Sequence, residues 1–176
     1  SLPIALGAAI YLSEYAKDNW ITNTIRTSIE ILSSLPSIVV GLFGYLLFVI
    51  QFNLGFSIIS GALALTFFNL PILTSNIEQA LEGVPQSQRE AGQALGLSNW
   101  KTIRGIVLPA ALPGILTGIV LSAGRVFGEA AALIYTAGQS GSTIDYSNWN
   151  AFSPTSFLNV MRPAETLAVH IWKVNT

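Results

Sequence analysis

Charge, cysteine and histidine are all scarce in this sequence. Asp, Glu, Lys and Arg make up 10% of its 176 residues, whereas an average soluble domain carries about 25%, so too little charge is present to cover a water-facing surface. The absence of cysteine and the single histidine leave no plausible thiolate or histidine-cluster metal site. A net charge of −1 gives no indication of a nucleic-acid partner. No G-x-x-x-x-G-K-[ST] phosphate-binding loop occurs, so ATP hydrolysis by that route is excluded for this chain.

Long uncharged stretches predict membrane-spanning helices. No charged residue occurs between Glu30 and Glu78, and one helix of that length would run roughly 70 Å, more than twice a hydrocarbon core of about 30 Å. Two spans joined by a turn fit this stretch, and a second uncharged run begins at Gly105. The expected fold class is an all-α polytopic membrane helical bundle, a fragment with truncated terminal helices. Its three complete spans are predicted at residues 31–50, 54–77 and 105–135.

Lysine and arginine are distributed unequally between the two predicted sides of the membrane. Basic residues bias short loops to the cytoplasm, so we expect residues 13–30 and 78–104 on the cytoplasmic face and an external loop at residues 138–165. The basic residues on the first side are Lys17, Arg26, Arg89, Lys101 and Arg104, and those on the other side are Arg162 and Lys173.

The polar segment at residues 84–104 has the local chemistry of two short helices that meet at a bend. Ser87 and Glu90 have the spacing of a capping box, in which each side chain accepts a hydrogen bond from the other's backbone amide. Gly96 suits the left-handed position after a helix end, Ser98 can cap the second helix, and Pro109 would kink or terminate it. Small and apolar residues exposed at such a bend indicate docking into a groove of another protein, while packing on the chain's own spans is the alternative. Those residues are Ala91, Leu95, Leu97 and Trp100.

The same segment resembles the signature of permease subunits of binding-protein-dependent ABC importers. That signature is E-A-A, three residues, G, nine residues and I-x-L-P, and this chain departs from it only at Gly92, where alanine is usual. The resemblance implies that residues 84–104, here named the coupling segment, sit in a cleft of an ATPase subunit whose closure rocks the transmembrane helices. The ATPase-coupling residues so implied are Glu90, Ala91, Gly92, Leu95, Gly96, Ile106, Leu108 and Pro109.

Two charged residues, Arg125 and Glu129, stand four positions apart in an otherwise apolar stretch. On a continuous helix they would share a face, and charged residues in membrane segments usually face the bundle interior or a wet cavity. Arg125 is a permanently charged, planar donor suited to an oxyanion. Glu129 would keep that site from binding an anion too tightly, since transport needs release as well as binding. The alternative is that the two side chains neutralise each other and only hold helices together.

The chain also resembles, over nearly its whole length, the A-type permease subunit of phosphate (Pst) importers. The similar stretches are residues 82–138, LPSIVVG at 35–41 and RPAET at 162–166. The resemblance implies an ATP-driven importer that translocates inorganic phosphate across a bacterial or archaeal cytoplasmic (inner) membrane by alternating access. The implied partners are a C-type permease, a cytoplasmic ATPase dimer and an extracytoplasmic phosphate-binding protein. It also implies that this chain is no enzyme and holds no cofactor, with ATP and Mg on the partner ATPase.

Composition and spacing alone leave other functions open. They do not separate phosphate from another oxyanion such as sulfate or molybdate, and a structural membrane subunit without transport activity would have the same composition. An intramembrane enzyme would need a catalytic or metal constellation, for which one histidine and no cysteine are a poor basis.

Two further features each allow two interpretations. Asn69, beside a kink expected at Pro71, is a candidate for the substrate pathway, although it could instead satisfy backbone groups that the proline frees. The spacing Gly114-x-x-x-Gly118 indicates close helix packing, either with a partner permease or within the chain.

Overall fold

The computed structural model describes residues 1–138 and 144–174, and these residues form helices and loops without a β-strand. The all-α prediction is therefore confirmed, while residues 139–143 of the predicted external loop lie outside the described residues. The helices are α1 (Leu2–Ile10), α2 (Trp20–Ser34), α3 (Ser37–Gly44), α4 (Ile58–Glu82), α5 (Gln86–Ala94), α6 (Asn99–Thr102), α7 (Leu108–Gly128), α8 (Ala131–Thr136) and α9 (Leu167–Val174). Three π-helical segments follow α1, α3 and α6 at Tyr11–Tyr15, Tyr45–Gln51 and Ile103–Val107.

Two helical stretches are long and apolar enough to cross a membrane. One is α4, and the other is the continuous helix Asn99–Gly128, which contains α6, its π-helical segment and α7. A third crossing is possible if α2 and the helix Ser37–Gln51, which are separated by a sharp bend, count together as one span. The membrane boundaries predicted from the sequence stay predictions.

Two of the predicted spans are not continuous helices. The stretch 31–50 is interrupted between α2 and α3, because Pro36 disfavours helical backbone at Leu35 and itself adopts an extended conformation with φ −61° and ψ 138°. The stretch 105–135 is interrupted at Glu129, between the end of α7 and the start of α8. By contrast, Pro109 neither ends nor separates its helix, since the preceding π-helical segment leads directly into α7.

The first of two compact units comprises Ser1–Ser34 and Asn69–Ala123. Its core joins alanines of α1 to branched side chains of α4 and α7, which lie close because two glycines of α7 face α4. A Cβ atom at Gly114 would lie 2.9 Å from the Cβ of Ala80, and one at Gly118 would lie 3.0 Å from the Cβ of Asn76. The Gly114-x-x-x-Gly118 pattern therefore serves packing within the chain. The buried core residues are Ala5, Ala9, Leu73, Ile77, Leu81, Val84, Val107, Ala111 and Ile115.

The second compact unit comprises Leu35–Phe68 and the residues from Gly124 onward. Its helices α3 and α8 also pack through glycine, since a Cβ atom at Gly41 would lie 2.8 Å from the Cα of Ala132. Buried Leu133, Ala137 and Val169 form a smaller apolar cluster between α8 and α9. Short side chains thus set the helix spacing in both units, as is usual where packing rather than water exclusion drives association.

Candidate functional site

The first helix of the coupling segment begins two residues earlier than the capping box predicted. Pro85 occupies the N-cap position of α5, with φ −56° and ψ 139°, and no side chain caps the helix. Because the proline ring fixes φ near the value a helix start requires, Gln86 becomes the first helical residue and Ser87 lies inside the helix. The capping box predicted for Ser87 and Glu90 is therefore wrong.

The second predicted feature, the turn at Gly96, is confirmed. Gly96 has φ +73°, which favours glycine, and its amide donates to the Gln93 carbonyl at 2.9 Å. The Leu97 amide donates to the Gly92 carbonyl at 3.2 Å, which completes a Schellman motif at the end of α5. Ser98 then stands at the N-cap position of α6, although its side chain makes no capping hydrogen bond.

Most of the predicted docking residues lie on the surface of the coupling segment. Leu95 is 77% exposed and Trp100 is 54% exposed, while Leu97 is only half-buried. Exposed apolar side chains beside a rigid turn are suited to a groove of another protein. Ala91, Glu90 and Pro109 are also exposed, and Ile106 and Leu108 are half-buried.

Gly92, the departure from the family signature, is the buried residue of α5. A Cβ atom there would lie 2.7 Å from Cγ2 of Thr102 and 2.9 Å from Cδ1 of Ile106. Glycine at this position therefore lets α5 pack directly on the helix that continues into α7. The helix α5 therefore contacts this membrane helix at Gly92 without an intervening side chain.

A buried arginine fixes the start of α5, and sequence reasoning missed it. Arg89 donates through Nη2 to Oε1 of Glu14 at 2.9 Å and through Nε to Oε2 of Glu14 at 3.4 Å. It also donates to the carbonyls of Val84 at 2.6 Å and Leu81 at 2.8 Å. The side chains of Arg89 and Glu14 are only 16% and 9% exposed. One guanidinium thus joins α5, the end of α4 and the π-helical segment after α1.

The surroundings of this ion pair are polar. A cavity of about 400 Å³ lies beside Arg89, and its lining includes Gln93, Asn99 and Thr102. A second arginine, Arg26, forms an ion pair with Glu78, in which Nε lies 2.9 Å from Oε1. No local sequence pattern predicts these ion pairs, because their partners are distant in the chain. Glu14 and Arg89, for example, are 75 positions apart.

Arg125 lies near the end of α7 in the second unit. Its guanidinium carbon stands 4.9 Å from the centre of the Phe68 ring, within the range of a cation–π contact. The residue is exposed, and among the described residues it makes no hydrogen bond or ion pair to a carboxylate. Its N–H donors are therefore not used by the fold.

Glu129 does not pair with Arg125. The helix ends at Gly128, so the four-residue spacing no longer places the two side chains on one helical face. The Glu129 carboxylate is buried and accepts from the Ala132 amide at 3.4 Å, in the first turn of α8. There its negative charge is favoured by the positive end of the helix dipole. The neutralisation alternative is thus not the arrangement that the structure contains.

Asn69 belongs to the first unit, unlike Arg125 and Glu129. The residue is half-buried, and its Oδ1 atom is enclosed without a hydrogen-bond partner among the described residues. Pro71 lies inside α4 without ending it. Asn69 therefore does not compensate Pro71 through a hydrogen bond in the described structure, and its role in a substrate pathway stays a prediction.

Comparisons with known proteins agree with the membrane helices. The family described as "Binding-protein-dependent transport system inner membrane component" matches residues 1–168. The chain is 53% identical, over its full length and 60% of the relative, to the probable ABC transporter permease protein YqgI of Bacillus subtilis. It is 43% identical over 139 residues to the phosphate transport system permease protein PstA 2 of Mycobacterium bovis, covering 79% of this chain and 46% of the relative.

A third relative is the phosphate transport system permease protein PstA of Xylella fastidiosa. It is 40% identical over 156 residues, which are 89% of this chain and 53% of that protein. The chain spans about half the length of the curated relatives it matches. No solved structure matches it. The chain belongs to the family of inner membrane components of binding-protein-dependent transport systems, and it is a multi-pass membrane protein.

Proposed function

We propose that this chain is the permease subunit of an ATP-driven importer that translocates inorganic phosphate by alternating access. The observation that carries the proposal is Arg125, an exposed cation in an apolar helix that lies over the Phe68 ring and makes no ion pair among the described residues. Because a guanidinium presents a planar set of donors, it can bind two oxygens of a phosphate at once. Phosphate rather than another oxyanion is supported by the relatives that are named phosphate permeases.

Glu129 has a separate role in this proposal. Its buried carboxylate bonds the first turn of α8, and therefore it does not occupy the donors of Arg125. The negative charge of Glu129, four residues from Arg125 in sequence, would weaken the binding of a divalent anion without blocking it, which permits release after each transport step.

The coupling segment supplies the connection to ATP hydrolysis in this proposal. Leu95 and Trp100 are exposed apolar side chains that suit a cleft of a cytoplasmic ATPase dimer. ATP and Mg would be bound by that dimer, while a C-type permease and an extracytoplasmic phosphate-binding protein would complete the importer. The close seat of Gly92 on Thr102 would transmit movement of the segment into the helix that carries Arg125.

The test is uptake of labelled phosphate by cells that depend on the full-length protein and its partner subunits. Arg125→Ala should abolish uptake and leave the complex assembled, because it removes the anion-binding donors but no structural hydrogen bond. Arg125→Lys keeps the charge and loses the planar donor set, so intermediate uptake is expected. Lys17→Ala, which removes an exposed positive charge elsewhere, is the matched control.

Competition with sulfate separates the substrates. Uptake that sulfate does not inhibit and that Arg125→Ala destroys would support the phosphate assignment. Normal phosphate uptake by Arg125→Ala would remove Arg125 from the pathway. If the unmodified complex takes up no phosphate while the ATPase is still bound, the substrate would be another oxyanion.

A further inference from the structure

The loop between α8 and α9 is ordered by its own side chains. In residues 144–161, here named the aromatic loop, a side-chain oxygen repeatedly accepts from the backbone amide two residues further on, the pattern of Asx and Ser/Thr turns. Such turns fix an irregular backbone without a helix or strand. The pairs of acceptor and donor are Asp145 and Ser147 (2.9 Å), Asn148 and Asn150 (3.1 Å), Asn150 and Phe152 (3.1 Å), Ser156 and Leu158 (3.2 Å), and Asn159 and Met161 (2.9 Å).

This ordered backbone holds three large rings out of the protein. Tyr146 is 74% exposed, Trp149 is 73% exposed and Phe152 is 94% exposed. Half-buried Phe157 supports two of them, with ring centres 6.3 Å from Tyr146 and 5.2 Å from Trp149. Three exposed aromatic side chains in one short loop form an apolar surface that water solvates poorly.

Hydrogen bonds place the end of this loop beside the start of a membrane helix. The Ile58 amide donates to the Arg162 carbonyl at 3.0 Å, and the Ile59 amide donates to the Val160 carbonyl at 3.1 Å. Both amides belong to the first turn of α4, which is long and apolar enough to cross a membrane. If α4 crosses a membrane, its first turn would lie near the headgroup region of the bilayer, and these hydrogen bonds would hold the end of the loop at the same level.

The composition of the loop favours lipid over a soluble protein as the partner. Asp145 is the only charged residue of residues 144–161. A surface that docks a soluble partner reversibly relies on complementary charge for its orientation and rate of association, and this loop offers almost none. Tyrosine and tryptophan, in contrast, are the residues that concentrate where a membrane meets water, because their rings are apolar and their polar atoms stay hydrated.

We propose that Tyr146, Trp149 and Phe152 insert into the lipid headgroup region and anchor the aromatic loop to the membrane beside α4. The interaction surface requires only that α4 crosses a membrane, so it does not depend on phosphate as the substrate. By holding the residues that bond the first turn of α4, the anchored loop fixes where that helix starts relative to the bilayer.

Site-directed spin labelling can measure this contact directly, because the chain has no cysteine of its own. The full-length protein, with any cysteine outside these 176 residues replaced, would be assembled with cysteine-free partner subunits in phosphatidylcholine nanodiscs. It would carry one nitroxide at Ala151→Cys, which keeps all three rings. A second variant, Phe152→Cys, places the label at the most exposed ring. Labels at Lys17→Cys and Val120→Cys supply water-exposed and lipid-exposed controls, since Val120 is 69% exposed on α7.

Collision with lipid-soluble oxygen and with a water-soluble nickel chelate reports the surroundings of each label. We expect the labels at 151 and 152 to lose accessibility to nickel relative to the label at 17 and to gain accessibility to oxygen, approaching the label at 120. Nickel accessibility equal to that at 17 would overturn the proposal. Protection from both reagents that appears only when the extracytoplasmic binding protein is added would also overturn it, and would identify a protein as the partner instead.

Discussion

Arg89 and Arg125 have the same side chain, but the two guanidinium groups differ in burial and in hydrogen bonding. Arg89 forms an ion pair with Glu14 and donates to two backbone carbonyls, and its side chain is 16% exposed. Arg125 is exposed and contacts one aromatic ring. An arginine whose three guanidinium nitrogens all donate to protein acceptors stabilises the fold. An arginine whose nitrogens have no protein acceptor is available to bind a ligand. The glycines nearby follow the same division, since Gly92 is enclosed and Gly124 has no other atom within 4 Å of an added Cβ.

The largest expected effect comes from replacing each arginine by alanine. Arg89→Ala leaves the carboxylate of Glu14 buried without its partner, which should lower the free energy of unfolding by about 3 kcal/mol. Arg125→Ala removes only a cation–π contact, so its loss should stay below about 1 kcal/mol. The thermal unfolding midpoint of the purified full-length protein in detergent measures both.

Two further variants control this comparison. Glu14→Gln combined with Arg89→Ala removes both charges and should recover part of the stability lost in Arg89→Ala. Arg104→Ala removes an exposed arginine of the coupling segment and should change the midpoint little. Equal losses at positions 89 and 125 would contradict the division between structural and available arginines.

A smaller effect is expected from adding one methyl group to each glycine. Gly92→Ala would place Cβ 2.7 Å from Cγ2 of Thr102, and overpacking of this kind typically costs about 1–3 kcal/mol. Gly124→Ala meets no atom and should be neutral or stabilise α7 by up to about 1 kcal/mol. Chemical or thermal unfolding of the two variants, measured in the same detergent, compares them.

A substitution at Thr102 identifies the cause of the stability loss expected in Gly92→Ala. Thr102→Ala removes the γ atoms that the new methyl group meets, so Gly92→Ala with Thr102→Ala should be more stable than the sum of the single changes predicts. Additive effects would show that Gly92 is not destabilised through Thr102. Weakened ATPase binding in Gly92→Ala, restored in the double variant, would link this contact to coupling.

The parts of the site that the sequence predicted are those set by neighbouring residues. Gly96 ends α5 because its left-handed backbone is a local property, and the exposed apolar residues at the bend follow from it. The spacing of Arg125 and Glu129 was misleading, because a four-residue period is meaningful only on a continuous helix and α7 ends between them. The pair of Glu14 and Arg89 joins distant parts of the chain, so no local period encodes it.

The membrane spans likewise include features that local composition predicts and features that it does not. Runs without charge located α4 and the helix Asn99–Gly128, since apolar composition determines which segments can cross a membrane. The break before α3 depends on one backbone angle at Pro36, which a hydropathy run does not register. The role of Gly92 is likewise not a local property, because neighbours that are distant in sequence require its lack of a side chain.

The smallest expected effect comes from removing the cation–π contact between Arg125 and Phe68. Phe68→Leu keeps an apolar side chain under the guanidinium but removes the ring, and an exposed cation–π contact is worth about 0.5–1 kcal/mol. If the ring orients Arg125 toward phosphate, the KM of uptake should rise by up to about fivefold at unchanged maximal rate. The neighbouring ring, Phe67, packs against Phe43 instead, with ring centres 6.5 Å apart. Phe67→Leu is therefore the matched control, and an equal rise in KM in both variants would mean that the ring of Phe68 has no specific effect on Arg125.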